Sequence, residues 1–487
     1  MLEPFDFPAI ERFVNRETDL ARLEEWWNGD DPNALALFGR RRVGKSWLFR
    51  RLAHGKPAIV LVAERRDTRP QLQRLAERLS PALGFRPDIP DLSSLFEVLY
   101  RLAADERRLV VIDEFPWLLP SGGAAQREAL TSIQAVMEER DASQLRLVLC
   151  GSYIGQMESL LSESSPLRGR LTPLRIRPLR FDGARRFMPD ALDVREQVER
   201  YAVAGGMAMY LDELARGESL AAQVQRAVLS DRGKLFDDPR EVLEEELRAP
   251  GVYFSLLEEL AFRRRSLGEL AAALNRDSGT LGPYLNRLSE MEIIRGISQV
   301  VGGSERDRRW ECQDPFLRFW FRFVFGMQDD LGAGLEPADY WDGAIAPELA
   351  DHAAPVFEDL CREWVRKTHG RVAPRVGSWW GPARHDLRRT HERETDEIDI
   401  VGVARNQVTL IGECKWTAKP LDGGVLRDLD DYKLPALRQS KAKVAKQPRI
   451  LLFSRSGFER RLVEDAAERG DVELVDATQV CEDLASD

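Results

Sequence analysis

Apolar positions along this chain fall into two rhythms. Short runs in which almost every position is apolar, "ALALF" at 34–38, "LVVID" at 109–113 and "LRLVLC" at 145–150, predict buried strands. Residues 181–206 repeat at 3.6 and predict helices, and residues 252–303 read as three helices and a hairpin. Within that stretch Ser266 and Glu269 have capping-box spacing, "SGTLGPYLNRLSEME" reads as a recognition-type helix, and Pro283 is expected to spoil it as an ideal rod. "DPFLRFWFRFVFG" predicts an amphipathic helix with its aromatics in a core and Arg318 and Arg322 facing outward; residues 326–343 then read as a looser boundary. A helix over 354–370 precedes "EIDIVGVARNQVTLIGECKW", two alternating runs about a polar loop at Arg405, Asn406 and Gln407, the signature of a hairpin. A further helix and the strand "PRILLF" follow. The pattern is multidomain α/β, with expected boundaries at 1–175, 176–245, 246–312, 313–345 and 346–487.

With 43% hydrophobic residues over 487, the chain can bury several cores, and its length exceeds what one core holds. No run approaches the length of a membrane span and the N-terminus lacks a signal-peptide pattern, so a cytoplasmic location and no membrane partner are expected. Five dispersed cysteines outside any CxxC pair imply reduced, buried thiols. The net charge of −10 excludes a coat of positive charge for nucleic acid, so any such contact is local. The arginine-rich stretches 263–265, 306–309 and 384–393 read by default as solvated faces, and His385 and His391 as surface histidines.

"GRRRVGKS" supplies Gly39-x-x-x-x-Gly44-Lys45-Ser46 between a strand and a helix, a phosphate-binding loop. Its glycines let backbone N–H groups face phosphate oxygens, Lys45 reaches the β- and γ-phosphates, and Ser46 is a Mg²⁺ ligand. Asp113 and Glu114 end the next strand, suited to holding Mg²⁺ and to activating the attacking water. Ser152, after the following strand, stands where a γ-phosphate sensor belongs, and Arg168 and Arg170 are candidate arginine fingers.

The ordered set "FVNRETDLARL", "GRRRVGKS", "VVIDE", "LCGS", "SPLRGR" and "YAVAGGMAMYL" resembles the archaeal-type P-loop ATPases, relatives of the AAA+ and STAND groups, over about the first half of the chain. The resemblance implies an ASCE-type core with a helical lid, ATP as ligand, an adenine pocket lined by residues 13–17 with Arg16, and Arg170 in the family's arginine position. A finger acting between subunits would imply a homo-oligomer, and one acting within the chain would not. The family's Gly-Gly-x-Pro-x-Tyr loop reads Gly205 to Tyr210 here with Ala208 in place of proline. Residues 246–312 have winged-helix order, with Arg276, Arg287, Arg306, Arg308 and Arg309 as candidate phosphate contacts.

If the hairpin turn centres on Asn406, Asp399 lies across from Glu413, and Lys415 shares their face. Opposed carboxylates repel, and a divalent cation between them removes that penalty. With Glu358 on the preceding helix, the set Glu358, Asp399 and Glu413-x-Lys415 resembles the PD-(D/E)XK nuclease superfamily, over about the last 140 residues, and archaeal-type ATPases often carry such a C-terminal domain. That resemblance implies a restriction-endonuclease-like fold in which Asp399 and Glu413 hold Mg²⁺, replaceable by Mn²⁺, while Lys415 assists phosphodiester hydrolysis on nucleic acid, with DNA the expected partner. The alternatives are a nucleotide-dependent switch or scaffold that binds nucleic acid or protein without cutting, and an edge strand whose charges merely discourage aggregation.

Overall fold

Five strands, β1 (Ala34–Phe38), β2 (Ala58–Val62), β3 (Arg108–Asp113), β4 (Leu145–Gly151) and β5 (Leu171–Arg175), make a parallel sheet in the order β2-β3-β4-β1-β5. A parallel sheet is covered on both faces, which is why β1 and β4 are largely apolar and wholly buried. Helices Thr68–Leu83, Leu92–Leu102 and Gly123–Glu138 contribute Leu75, Phe96, Leu99 and Ile133 to its core. Because β4 stands between β1 and β3, residues that follow three adjacent strands meet at one edge.

The chain is seen here as a computed structural model describing residues 14–139, 143–217, 219–247, 249–304, 307–383, 395–440 and 442–485. Its five expected segments group into two compact units, residues 1–179 with 207–209, and residues 180–206 with 210–487. Arg306 and the basic stretch holding His385 and His391 lie outside the described residues, as does Phe13.

In the second unit, helix Gly251–Phe262 leads through the short strand β6 (Arg265–Ser266) to helices Leu267–Ala273 and Ser278–Glu290 and a hairpin of β7 (Ile294–Ile297) and β8 (Arg309–Cys312), with sheet order β6-β8-β7. The Ser266–Glu269 capping box forms as its spacing requires. Helix Ser278–Glu290 is continuous and contains Pro283.

Helix Pro315–Phe323 buries Phe316, Phe319, Trp320 and Phe321, but its arginines do not face water. Helix Ala346–Thr368 covers them: Arg318 donates to the His352 carbonyl oxygen, and Arg322 pairs with Glu348 at 2.8 Å. The stretch between these helices is a series of short helical pieces, among them Gln328–Gly332 and Pro337–Tyr340, rather than a loose linker.

The C-terminal sheet comprises β9 (Arg375–Pro382), β10 (Thr395–Ala404), β11 (Gln407–Lys415), β12 (Lys443–Ser454) and β13 (Val472–Asp476), in the order β13-β12-β11-β10-β9. β9, β10 and β11 are antiparallel; β12 and β13 continue in parallel after helical crossovers. One face, with Ile400, Leu410, Leu451 and Phe453, packs on Phe357, Leu360 and Trp364 of the long helix. The other, with Val401, Val403, Ile411 and Leu452, packs on Leu426, Leu429 and Leu437 of the helical run over 423–439. The hairpin turn is the two residues Arg405 and Asn406, both at positive φ (48° and 62°), rather than a three-residue loop. A bulge at Gly402/Val403 restores the missing residue, so Ile400 pairs with Gly412 and Val401 with Ile411, the register expected for a turn centred on Asn406. All five cysteines are buried and free.

An ion network joins the helical module to the C-terminal sheet. Arg264, expected at a solvated face, is instead largely buried and reaches Glu311 at 2.5 Å, Glu358 at 2.8 Å and Glu397 at 3.0 Å, acids from β8, the long helix and β10. Arg309 pairs with Glu397 at 3.1 Å and lies over the Trp380 ring, Arg295 bridges Glu311 and Asp359, and Arg362 holds Asp359 and Glu358. Arg264→Met leaves three acids crowded without their shared cation. The expected cost is about 2–3 kcal/mol, below the figure for a fully buried pair because Glu397 is a third exposed. Urea unfolding of the full chain checks it, and a change within about 0.5 kcal/mol, the size of an ordinary surface substitution, contradicts it.

Candidate functional site

The first site forms at the carboxyl ends of β1, β3 and β4. Gly44, at φ 104°, caps the helix Lys45–Ala53, and a Cβ on Gly39 would stand 2.2 Å from the Ile176 carbonyl oxygen, so both positions require glycine. Lys45 Nζ donates to the carbonyl oxygens of Gly39 (2.8 Å) and Arg40 (3.0 Å) and to Ser152 Oγ (2.9 Å). Ser152, directly after β4, thus meets the loop lysine from the neighbouring strand. Its N–H donates to Glu114 Oε2 at 3.1 Å, and its hydroxyl bonds Glu114 Oε1. Asp113 accepts from the Glu114 N–H at 3.2 Å, and burial raises its carboxyl above the usual range, with Glu114 adding to that and Cys150 and Lys45 opposing it. Lys45, Asp113, Glu114 and Ser152 are therefore brought together, with Ser46 on the first turn of the helix.

Three expected arginines make other contacts. Arg16 donates to the carbonyl oxygens of Val43 (3.0 Å) and Arg177 (2.8 Å), so it braces the phosphate-binding loop from behind. Arg170 precedes β5 at the end of the sheet opposite Gly39, paired with Glu138, and does not reach this chain's own loop. Arg168 pairs with Glu163 at 3.0 Å.

The second site lies on the C-terminal hairpin. By alternation Asp399 and Glu413 share the face of Val401, Val403 and Ile411, and Lys415 extends it. Lys415 Nζ is 2.8 Å from Glu413 Oε2 and 3.8 Å from Asp399 Oδ2, while Asp399 Oδ2 accepts from the Cys414 N–H at 2.9 Å. Burial, then the charges of Glu413 and Glu358, push the Asp399 carboxyl up to about 7. Burial alone would lower Lys415, but Glu413 and Asp399 outweigh it and keep the ammonium protonated. Lys415 is thus a cation here and not a base.

Lys433 was not among the residues expected here. Its Nζ lies 2.7 Å from Glu413 Oε1 and 3.6 Å from Asp428, so Glu413, 1% exposed, sits between two ammonium groups. "DDYKLP" carries no motif that marks this lysine, and only the packing of the 423–439 run on the sheet shows it.

Glu358 is not brought into a shared cluster. Against burial, which alone would raise it, Arg264 and Arg362 hold its carboxylate ionised, both at 2.8 Å. Among the described residues no three His, Cys, Asp or Glu side chains converge to hold a metal ion. Among them, too, no helix is long and apolar enough to cross a membrane.

Residues 13–214 match the family described as an ATPase domain predominantly from Archaea, and residues 320–425 match one described as archaea and bacterial proteins of unknown function. An uncharacterized protein of Methanocaldococcus jannaschii is 27% identical over 416 residues, covering 83% of this chain and 87% of its own. An uncharacterized ATP-binding protein of the same organism is 45% identical over 48 residues, 10% of this chain and 81% of its own. Among solved structures, a Walker-type ATPase of Pyrococcus abyssi aligns at 22% identity over 66% of this chain and 99% of its own, with a TM-score of 0.47. The ORC2 protein of Aeropyrum pernix, in ADPNP–ADP complexes, aligns at 14% over 63% and 91%, with a TM-score of 0.33. The N-terminal match and the loop geometry together make the first part of the chain a P-loop ATPase domain that binds ATP.

The raised Asp399 carboxyl makes stability depend on pH. The folded chain keeps that proton to about pH 7, whereas the unfolded chain releases it near the ordinary 3.8, so stability falls as pH rises through this interval. Asp399→Asn should remove on the order of 2–4 kcal/mol of that fall, read from urea midpoints at pH 5 and pH 8. Equal slopes in the two proteins contradict the assignment.

Proposed function

We propose that this chain couples ATP hydrolysis in its N-terminal domain to a Mg²⁺-dependent nuclease activity on DNA in its C-terminal domain. One observation carries the second half: Asp399 and Glu413 on adjacent strands, with the Lys415 ammonium within 4 Å of both. The order of helix, hairpin, helical crossover and further strand supports this reading.

The donor set fits a divalent cation. A carboxyl held near 7 by burial and the charge of its neighbours is one whose ionised form a cation would stabilise, and its all-oxygen chemistry suits Mg²⁺ or Mn²⁺. Asp399 and Glu413 would hold the ion, which when bound supplies Lewis-acid polarisation of a phosphodiester. Lys415 would stabilise negative charge at the phosphate, and Lys433 orients Glu413. In the ATPase domain Lys45 would engage the β- and γ-phosphates, Ser46 and Asp113 a Mg²⁺ ion, and Glu114, released from Ser152, would position the attacking water. Arg170, remote from its own loop, would serve as a finger only toward a second copy of the chain.

We read residues 246–312 as a winged helix. Arg309 is engaged by Glu397, Arg287 lies 3.4 Å from Glu290, and Arg308 lies over the Trp310 ring, so the module supports a packing role better than a DNA contact. A second reading, a nucleotide-dependent switch that binds without cutting, is favoured by the ion pairs that hold Glu358 and Glu413.

Lys45→Ala should lower ATP turnover by at least a hundredfold, and Mg²⁺- or Mn²⁺-dependent DNA cleavage should fall as far in Glu413→Ala and Lys415→Ala. Turnover near the original rate in Lys45→Ala contradicts the ATPase assignment. Cleavage that is equal in the variants, or absent on single-stranded, duplex and branched DNA, leaves the switch as the reading.

A further inference from the structure

In the second unit a cavity of about 340 Å³ is lined by three guanidinium groups, Arg195, Arg200 and Arg455, two carboxylates, Glu196 and Glu199, and the indole of Trp341. It draws on helix Val194–Ala204, on the start of the long helix and on the turn after β12. None of these residues belongs to either candidate site.

Arginine is rarely placed where water and partners are both scarce. Arg455 is about nine-tenths buried, and its guanidinium makes no hydrogen bond among the described residues. Its nearest acid is Glu199, 3.8 Å away, and it lies over the Trp416 ring at 5.6 Å. Arg195 reaches the other oxygen of the same carboxylate at 3.9 Å. Both separations exceed hydrogen-bond length, so this carboxylate hydrogen-bonds neither guanidinium. Arg200, 2% exposed, closes the same wall and donates to the Ala215 carbonyl oxygen.

Burial lowers Arg200 and Arg455 from their ordinary values and raises Glu199, while Glu196 opposes the shift at Arg200 and Arg195 and Arg455 oppose it at Glu199. The formal balance of three cations against two acids leaves one net positive charge, which favours an anion. A phosphate monoester presents three terminal oxygens and up to two negative charges, which suits three guanidinium groups better than a planar carboxylate does. The volume admits a phosphate with a ring beside it, and Trp341 gives that ring a flat apolar wall.

We propose that this cavity is a binding site for a phosphate monoester, with Arg455, Arg195 and Arg200 as its anchors. The ester arrives either as a free small molecule or as the terminal phosphate of a nucleic-acid strand, and the two share the chemistry the site recognises. The proposal does not depend on cleavage at Asp399 and Glu413.

Calorimetric titration of the full-length Lys45→Ala chain, which removes the phosphate-binding loop as a competitor, tests it with inorganic phosphate, AMP, and an octanucleotide carrying a 5′-phosphate or a 5′-hydroxyl. Saturable binding of phosphate or AMP is expected, weakened at least tenfold by Arg455→Gln. A preference for the 5′-phosphorylated over the 5′-hydroxyl strand, lost in the same variant, assigns the ligand to a strand end; AMP without that preference assigns it to a free small molecule. Should Arg455→Gln fail to fold, Glu199→Gln is the second test, expected to tighten phosphate binding at least threefold by removing the competing carboxylate. Absence of binding by every probe, affinity unchanged in Arg455→Gln, or no tightening in Glu199→Gln overturns the proposal.

Discussion

Repulsion between Asp399 and Glu413 is the constraint around which the C-terminal half is arranged. Two carboxylates on neighbouring strands, sharing a face away from bulk water, are costly unless something of opposite charge is near. Lys415 approaches from the same strand, Lys433 from the helical run that covers the face, and the Cys414 N–H bonds Asp399. Even so, burial first, then the charges of Glu413 and Glu358, push the Asp399 carboxyl up to about 7. A fold that needed only stability would place apolar side chains here, as it does at Val401 and Ile411 on the same face. The retained charge is what makes this position a candidate for chemistry.

A second electrostatic arrangement sets what the remaining acid can do. Arg264 gathers Glu311, Glu358 and Glu397 from three elements, and Arg362 shares the same Glu358 oxygen, Oε2, while its Nε donates to the Asp399 carbonyl oxygen at 3.0 Å. The helical module is thereby tied to the sheet through the very helix whose acid the nuclease resemblance assigns to the site. Glu358 influences Asp399 through its charge, while its Oε2 is held by Arg264 and Arg362.

The parts legible in the sequence were those with a local cause. The phosphate-binding loop follows from glycines at fixed spacing, the Ser266 cap from its own Glu269, and the hairpin from two alternating runs. The register of Asp399 against Glu413 came out as expected although the turn did not: a shorter turn and a bulge compensate, and nothing in "VGVARNQV" distinguishes the two routes. What stayed hidden depends on partners distant in sequence. Arg264 looked like one member of an exposed triplet because the acids that bury it lie 47 to 133 residues away. Arg318 and Arg322 turned inward because a later helix supplies the His352 carbonyl and Glu348. Lys433 was invisible for the same reason, and so was the position of Arg170 at the far end of its sheet.

Whether the buried pair is a metal site is decided most directly by diffraction from crystals of the full chain grown with Mn²⁺. A metal site there predicts anomalous density between Asp399 and Glu413, with an oxygen of each carboxylate at roughly 2.2 Å and the Lys415 ammonium still nearby. Density at the phosphate-binding loop with none between the two carboxylates, and the Lys415–Glu413 contact unchanged, would contradict it.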